Sequence, residues 1–101
     1  MIIIGEKINA TLSPVKNIIL NRGTVNLLDL AKRQADAGAN FIDVNVGTGV
    51  GSTADEIESI QWAVATIQAE VKIPLCIDSA DPKVIETGLK MLNGKPAMIN
   101  S

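Results

Sequence analysis

The sequence predicts an α/β fold built on a parallel sheet, and three observations point to it. Apolar runs rich in β-branched residues end in polar residues, and each is followed by a stretch with helical spacing. The pattern recurs roughly every 25–40 residues, the length of one strand–helix unit. Strands alternating with helices favour parallel pairing through right-handed crossovers. On these grounds alone both an eight-stranded (β/α) barrel and a doubly wound sheet fit. A chain of 101 residues supports one compact unit, residues 1–101, rather than two domains.

Each element has its own justification. The first strand opens with Ile2-Ile3-Ile4, which suits burial on both faces, and runs through Gly5-Glu6-Lys7-Ile8-Asn9. Ser13 as N-cap and Pro14 as first helical residue start a helical stretch carrying Val15, Ile18 and Ile19. Thr24 would cap a second helix with Leu27, Leu28, Ala31 and Ala35 on its inner face and Gly38 just past its end. The second strand is Phe41 to Val46, broken by Gly47-Thr48-Gly49-Val50-Gly51. Ile57, Ile60, Val64, Ile67 and Val71 then mark the clearest helical stripe, with Thr53 and Glu56 spaced as a capping box. The third strand is Ile73 to Ser79, with Pro74 tolerable only near its start. Asp81-Pro82 opens a helix whose inner side carries Ile85, Gly88, Leu89 and Leu92 and which Asn93-Gly94 closes. Pro96 to Asn100 forms the fourth strand.

Composition excludes several kinds of chemistry. Nine Lys and Arg against eleven Asp and Glu give a net charge of −2, so the basic face needed to grip nucleic acid is not expected. Phe41 and Trp62 are the only aromatics, too few for a base-stacking platform. No apolar run approaches the ~20 residues that span a bilayer, and no secretory leader is recognisable; a cytoplasmic location is expected. The chain has no His, which removes His-dependent nucleophilic schemes and the commonest metal ligand. The single cysteine, Cys76, reads as a small packed hydrophobe, and no metal site is expected. The Gly47, Gly49, Gly51 run lacks the Lys-Ser/Thr of a phosphate loop and reads as a flexible connection.

What remains is a set of polar residues at strand ends. Asp43 and Asn45 share one parity of the second strand, Asp78 ends the third and Asn100 the fourth, and Glu6 stands in the first. In parallel α/β folds ligands bind beyond the carboxyl ends of the strands. The set is rich in acceptors and amides and poor in cations, which suits a heteroaromatic ring bearing N–H and amino donors better than a phosphate. Structural readings stand beside each residue. Asp43 could bond turn amides, Asn45 could serve the glycine turn, Asp78-Ser79 could lead into the next helix, Asn100 could end its strand, and Glu6 could pair with Lys7.

Ile4-Gly-Glu-Lys-Ile-Asn9, Asp43-Val-Asn-Val-Gly47, Cys76-Ile-Asp-Ser79 and Ala97-Met-Ile-Asn-Ser101 occur in this order and spacing. Together they resemble the pterin-binding methyltransferase family, most nearly the enzymes that move a methyl group between methyltetrahydrofolate and a corrinoid protein. The resemblance covers the whole chain. It implies a TIM barrel with the pterin in a polar cavity at its C-terminal face, of which this chain would be the N-terminal half, a partial barrel of about four parallel strands. It implies that Glu6, Asp78 and Asn100 hydrogen-bond the pterin, that Asp43 and Asn45 line the same cavity, and that Asn9 and Ser79 are further contact candidates. The implied substrate is tetrahydrofolate or methyltetrahydrofolate. The implied cofactor is a corrinoid (cobalamin) carried by a partner protein, in one-carbon metabolism. The family's assistance to the N5 leaving group comes from residues that would lie beyond residue 101, so the catalytic residues are not assigned within this chain. Four strands leave two edges unpaired, so the chain is expected to meet either the rest of a longer polypeptide or another copy of itself. Two other readings are a dihydropteroate synthase-like enzyme, which should carry a different first-strand segment, and a non-catalytic half-barrel that oligomerises or binds a partner.

Overall fold

The computed structural model describes residues 1–92 and 97–100, without the side chain of Asn100. The elements run β1 (Ile4–Asn9), α1 (Ser13–Leu20), α2 (Thr24–Asp36), β2 (Phe41–Asn45), α3 (Thr53–Gln68), β3 (Leu75–Asp78), α4 (Pro82–Leu92) and β4 (Ala97–Asn100). All strand pairs are parallel and the sheet order is β1-β2-β3-β4. This is a partial barrel: four consecutive βα-type strands in an open sheet whose two edges are unpaired among the described residues.

The period-two alternation of the strands assigns their two faces. Ile42 pairs with Leu75, and Val44 with Ile8 and Ile77. These side chains are at most 1% exposed and join Leu27, Ala31, Ile60, Val64, Ile67 and Val84 of the helices in one core. Gly88 lets α4 lie directly on β3, since a Cβ there would sit 2.9 Å from Ile77 Cγ2. Among the described residues the opposite face has no helix on it. It carries Asp43 level with Cys76, Cys76 level with Met98, and Asp78 level with Asn100.

Several local expectations are corrected. Ile2, Ile3 and Ile4 are 67, 48 and 38% exposed rather than buried on both faces: Ile2 and Ile3 precede β1, and Ile4 lies on the helix-free face of an edge strand. Helix α1 begins at Ser13 with Leu12 as N-cap and no side-chain capping bond. On α2, Gln34 joins Leu27 and Ala31 in the buried stripe, Ala35 packs against the core at its margin as expected, and Leu28 is half-buried. The capping box of α3 is Ser52 with Asp55, one residue earlier than the Thr53–Glu56 spacing suggested. Gly51, with φ +87, makes the turn into that cap. Gly38 takes a positive φ just past the end of α2, as expected. The proposed helix-closing residues Asn93-Gly94 lie outside the described residues.

Candidate functional site

The helix-free face of the sheet gathers acidic residues from three strands. Asp43 projects from β2 and is only 5% exposed, with one carboxylate oxygen, Oδ1, that has no hydrogen-bond partner. A buried carboxylate oxygen without a donor is costly. Burial, the largest cause, and then the adjacent Asp78 carboxyl push the Asp43 pKa up to about 6; the Glu6 charge adds to this, while a bond from the Cys76 thiol opposes it. The Cys76 thiol is pushed up to about 12, first by burial and then by its bond to Asp43 and the surrounding negative charges. Glu6, Asp43, Cys76 and Asp78 thus form one electrostatic neighbourhood. Among the described residues no group of three or more His, Cys, Asp or Glu is arranged to hold a metal ion.

Glu6 reaches this neighbourhood through an irregularity in β1. Ile4 and Gly5 pair with Phe41 and Ile42, whereas Ile8 and Asn9 pair with Val44 and Asn45. Glu6 and Lys7 therefore stand together opposite Asp43 in a β-bulge. The Lys7 N–H donates to Gln34 Oε1 at 3.0 Å, and Gln34 Nε2 donates to the Leu30 carbonyl at 3.2 Å. Sequence reading missed Gln34. The available signal was an uncharged amide at i, i+4, i+7 with Leu27 and Ala31, because a polar group on an apolar stripe must find partners.

The remaining candidates divide by how their polar atoms are used. Asn45 Oδ1 accepts the Gly47 N–H at 2.9 Å, which leaves its amino group free to donate. Asn9 Oδ1 accepts both the N–H and the hydroxyl of Thr11, at 3.0 and 2.7 Å. Ser79 donates to Glu56 Oε2 at 2.8 Å and accepts the Asp81 N–H at 3.0 Å, so its hydroxyl serves the junction of β3, α3 and α4. Asp81 accepts the Lys83 N–H and the Thr53 hydroxyl, which fixes the starts of α4 and α3 together. An open hollow of about 540 Å³ lies beyond the ends of β2 and β3, lined by Asn45, Gly47, Glu56, Ser79, Asp81 and Pro82. Asn100 is level with Asp78 by backbone register; its side chain lies outside the described residues.

The structure therefore brings Glu6, Asp43 and Asp78 together. It sets Asn9 and Asn45 level with one another at the strand ends and assigns Ser79 to structural bonds. A family profile for pterin binding enzymes matches residues 5–101, which span all four strands. The chain belongs to the pterin-binding enzyme family. Over all 101 residues it is 41% identical to a methylcorrinoid:tetrahydrofolate methyltransferase of Eubacterium limosum. The chain spans 36% of that relative's length. The four parallel strands are half the number in a closed (β/α) barrel of eight. No helix among the described residues is long and apolar enough to cross a membrane.

Proposed function

We propose that residues 1–101 supply part of the pterin pocket of a methyltransferase. The enzyme would move a methyl group between N5 of methyltetrahydrofolate and the cobalt of a corrinoid carried by a partner protein. The observation that carries this reading is Asp43: a buried carboxyl with an unpartnered oxygen, on the same sheet face as Asp78 and beside Glu6. Carboxylates that crowd one another raise the cost of ionisation, and a ligand presenting N–H and amino donors relieves it. A pterin edge has those donors.

In this reading Asp78 and Glu6 accept from the ring, and Asn100 pairs with it by donating and accepting. Asp43 lines the same cavity beside Asp78, with its unpartnered Oδ1 available to a ring donor. Asn45 offers its free amino group to a ring acceptor. Ser79, whose hydroxyl both donates and accepts within the protein, supports the rim, while Asn9, like Asn45, has only its oxygen engaged and can offer its amino group. The corrinoid, bound by its own protein, supplies the cobalt that gives or takes the methyl group. These residues bind and orient the pterin; none of them is assigned to assist N5 as leaving atom. The relative of Eubacterium limosum, named for methylcorrinoid and tetrahydrofolate, supports this choice of substrates.

Titration calorimetry with methyltetrahydrofolate tests the proposal. Asp78→Ala and Asn100→Ala are each expected to weaken binding about tenfold or more, because each leaves ring donors unpaired. Unchanged affinity in both variants would overturn the assigned roles.

A further inference from the structure

We infer that Gln34, a residue of α2 outside the pocket, is a positioning residue: through the β1 bulge it holds Glu6 and Asn9 on the same face of the sheet as Asp43 and Asn45. The inference rests on the pterin-pocket reading for its functional meaning, though its geometry does not.

The argument begins with parity. Glu6 and Asn9 are three residues apart, and in a regular strand an odd separation puts side chains on opposite faces. Ile4, Glu6 and Ile8 would then share a face, and Ile8 would leave the core. Instead Ile8 pairs with Val44 and is fully buried among the helices, while Asn9 pairs with Asn45. Glu6 keeps the face of Ile4 and lies near enough to Asp43 and Cys76 for its charge to bear on both. One extra residue, placed between Gly5 and Ile8, reconciles these demands.

A bulge leaves a backbone group out of the ladder, and that group must be paired elsewhere. Here it is the Lys7 N–H, which Gln34 Oε1 accepts. Gln34 is 6% exposed and is itself oriented by its bond to the Leu30 carbonyl, so its oxygen can face only the strand. Gly5 completes the fit. A Cβ there would collide with Gln34 Oε1. The small residue in β1 and the amide on α2 form a matched pair, and neither touches the rim they set.

A double-mutant experiment reads this directly. In the wild-type chain Glu6→Gln should lower the midpoint at which the Asp43 carboxyl titrates, followed by carboxyl-labelled NMR. In the Gln34→Met background the same change should have no effect, and the Lys7 amide should exchange with solvent about tenfold faster. Gly5→Ala, which displaces Gln34 from the other side, should give the same loss and serves if Gln34→Met does not fold. Methyltetrahydrofolate affinity should fall about tenfold in either variant. An equal response of Asp43 to Glu6→Gln with and without Gln34 would overturn the inference. Failure of the wild-type chain to bind methyltetrahydrofolate would count against the pterin reading, while the Asp43 response would still decide the role of Gln34.

Discussion

Asp43 concentrates the tension of this site in one side chain. Its carboxyl is buried, faces another carboxyl, and has an oxygen with no donor. Its folded pKa is raised from 3.8 to about 6. Between those values the folded chain holds a proton that the unfolded chain has released. The stabilisation is therefore fully present below about pH 4 and is lost as the pH rises through 6. Asp43→Asn should raise stability at pH 7 by on the order of 2 kcal/mol and change it little at pH 4. Thermal melts at the two pH values check this, and an equal effect at both would refute it. The neighbouring thiol makes the complementary case. With its pKa pushed up to about 12 and 1% exposure, Cys76 should resist a thiol-specific disulfide reagent at pH 8 until the chain unfolds. Rapid labelling of the native chain would contradict the buried geometry.

At the scale of elements, the helix–strand contacts are as specific as the site. Gly88 of α4 sits against Ile77, and Gly88→Ala would place a methyl group 2.9 Å from Ile77 Cγ2. Overpacking of this kind costs about 1–3 kcal/mol, against about 1 kcal/mol of helix propensity gained. A net loss in denaturant midpoint is expected, and a gain would show that α4 can slide on β3. Most of these elements were legible in the sequence, because the helical stripe from Ile57 to Val71 and the β-branched runs impose distinct periods. The alternation of Asp43 with Val44 also announced which β2 residues leave the core. What was not legible followed from register. The bulge at Glu6-Lys7 is invisible to a count by twos, and its partner Gln34 lies 27 residues away from Lys7. The capping box was misplaced by one because Ser52 and Thr53 are both good caps, and only the turn at Gly51 selects Ser52. Trp62, unplaced by its helix pattern, donates toward Thr24 Oγ1 and lies under the Arg22 guanidinium, 5.2 Å from its ring centroid. Arg22, in turn, bonds Ser59 and the Ile19 carbonyl, so the α1–α2 turn is pinned to α3.

At the scale of the whole molecule, the sheet of the described residues ends in two unpaired edges. β1 exposes Ile4 and follows the exposed Ile2 and Ile3, and β4 exposes Ile99 at 53% although its neighbour Ile77 is fully buried. Unpaired strands with apolar side chains invite further pairing. The 101-residue chain studied alone should scatter light with a mass above that of its 10.6 kDa monomer. Ile99→Lys should move it toward the monomer, since an edge lysine opposes pairing. A monomer at all concentrations, with or without the lysine, would show that the edges are protected by other means.

The turn that closes β2 adds a constraint on what the rim can recognise. Because Asn45 spends its oxygen on the Gly47 amide, its carboxamide cannot rotate by half a turn without leaving that amide bare. It meets any guest as a fixed donor. A carbonyl or unprotonated ring nitrogen can be accommodated opposite such a group, whereas a ring N–H would bring hydrogen against hydrogen. The loop geometry would thus select which edge of a flat guest can be turned toward Asn45.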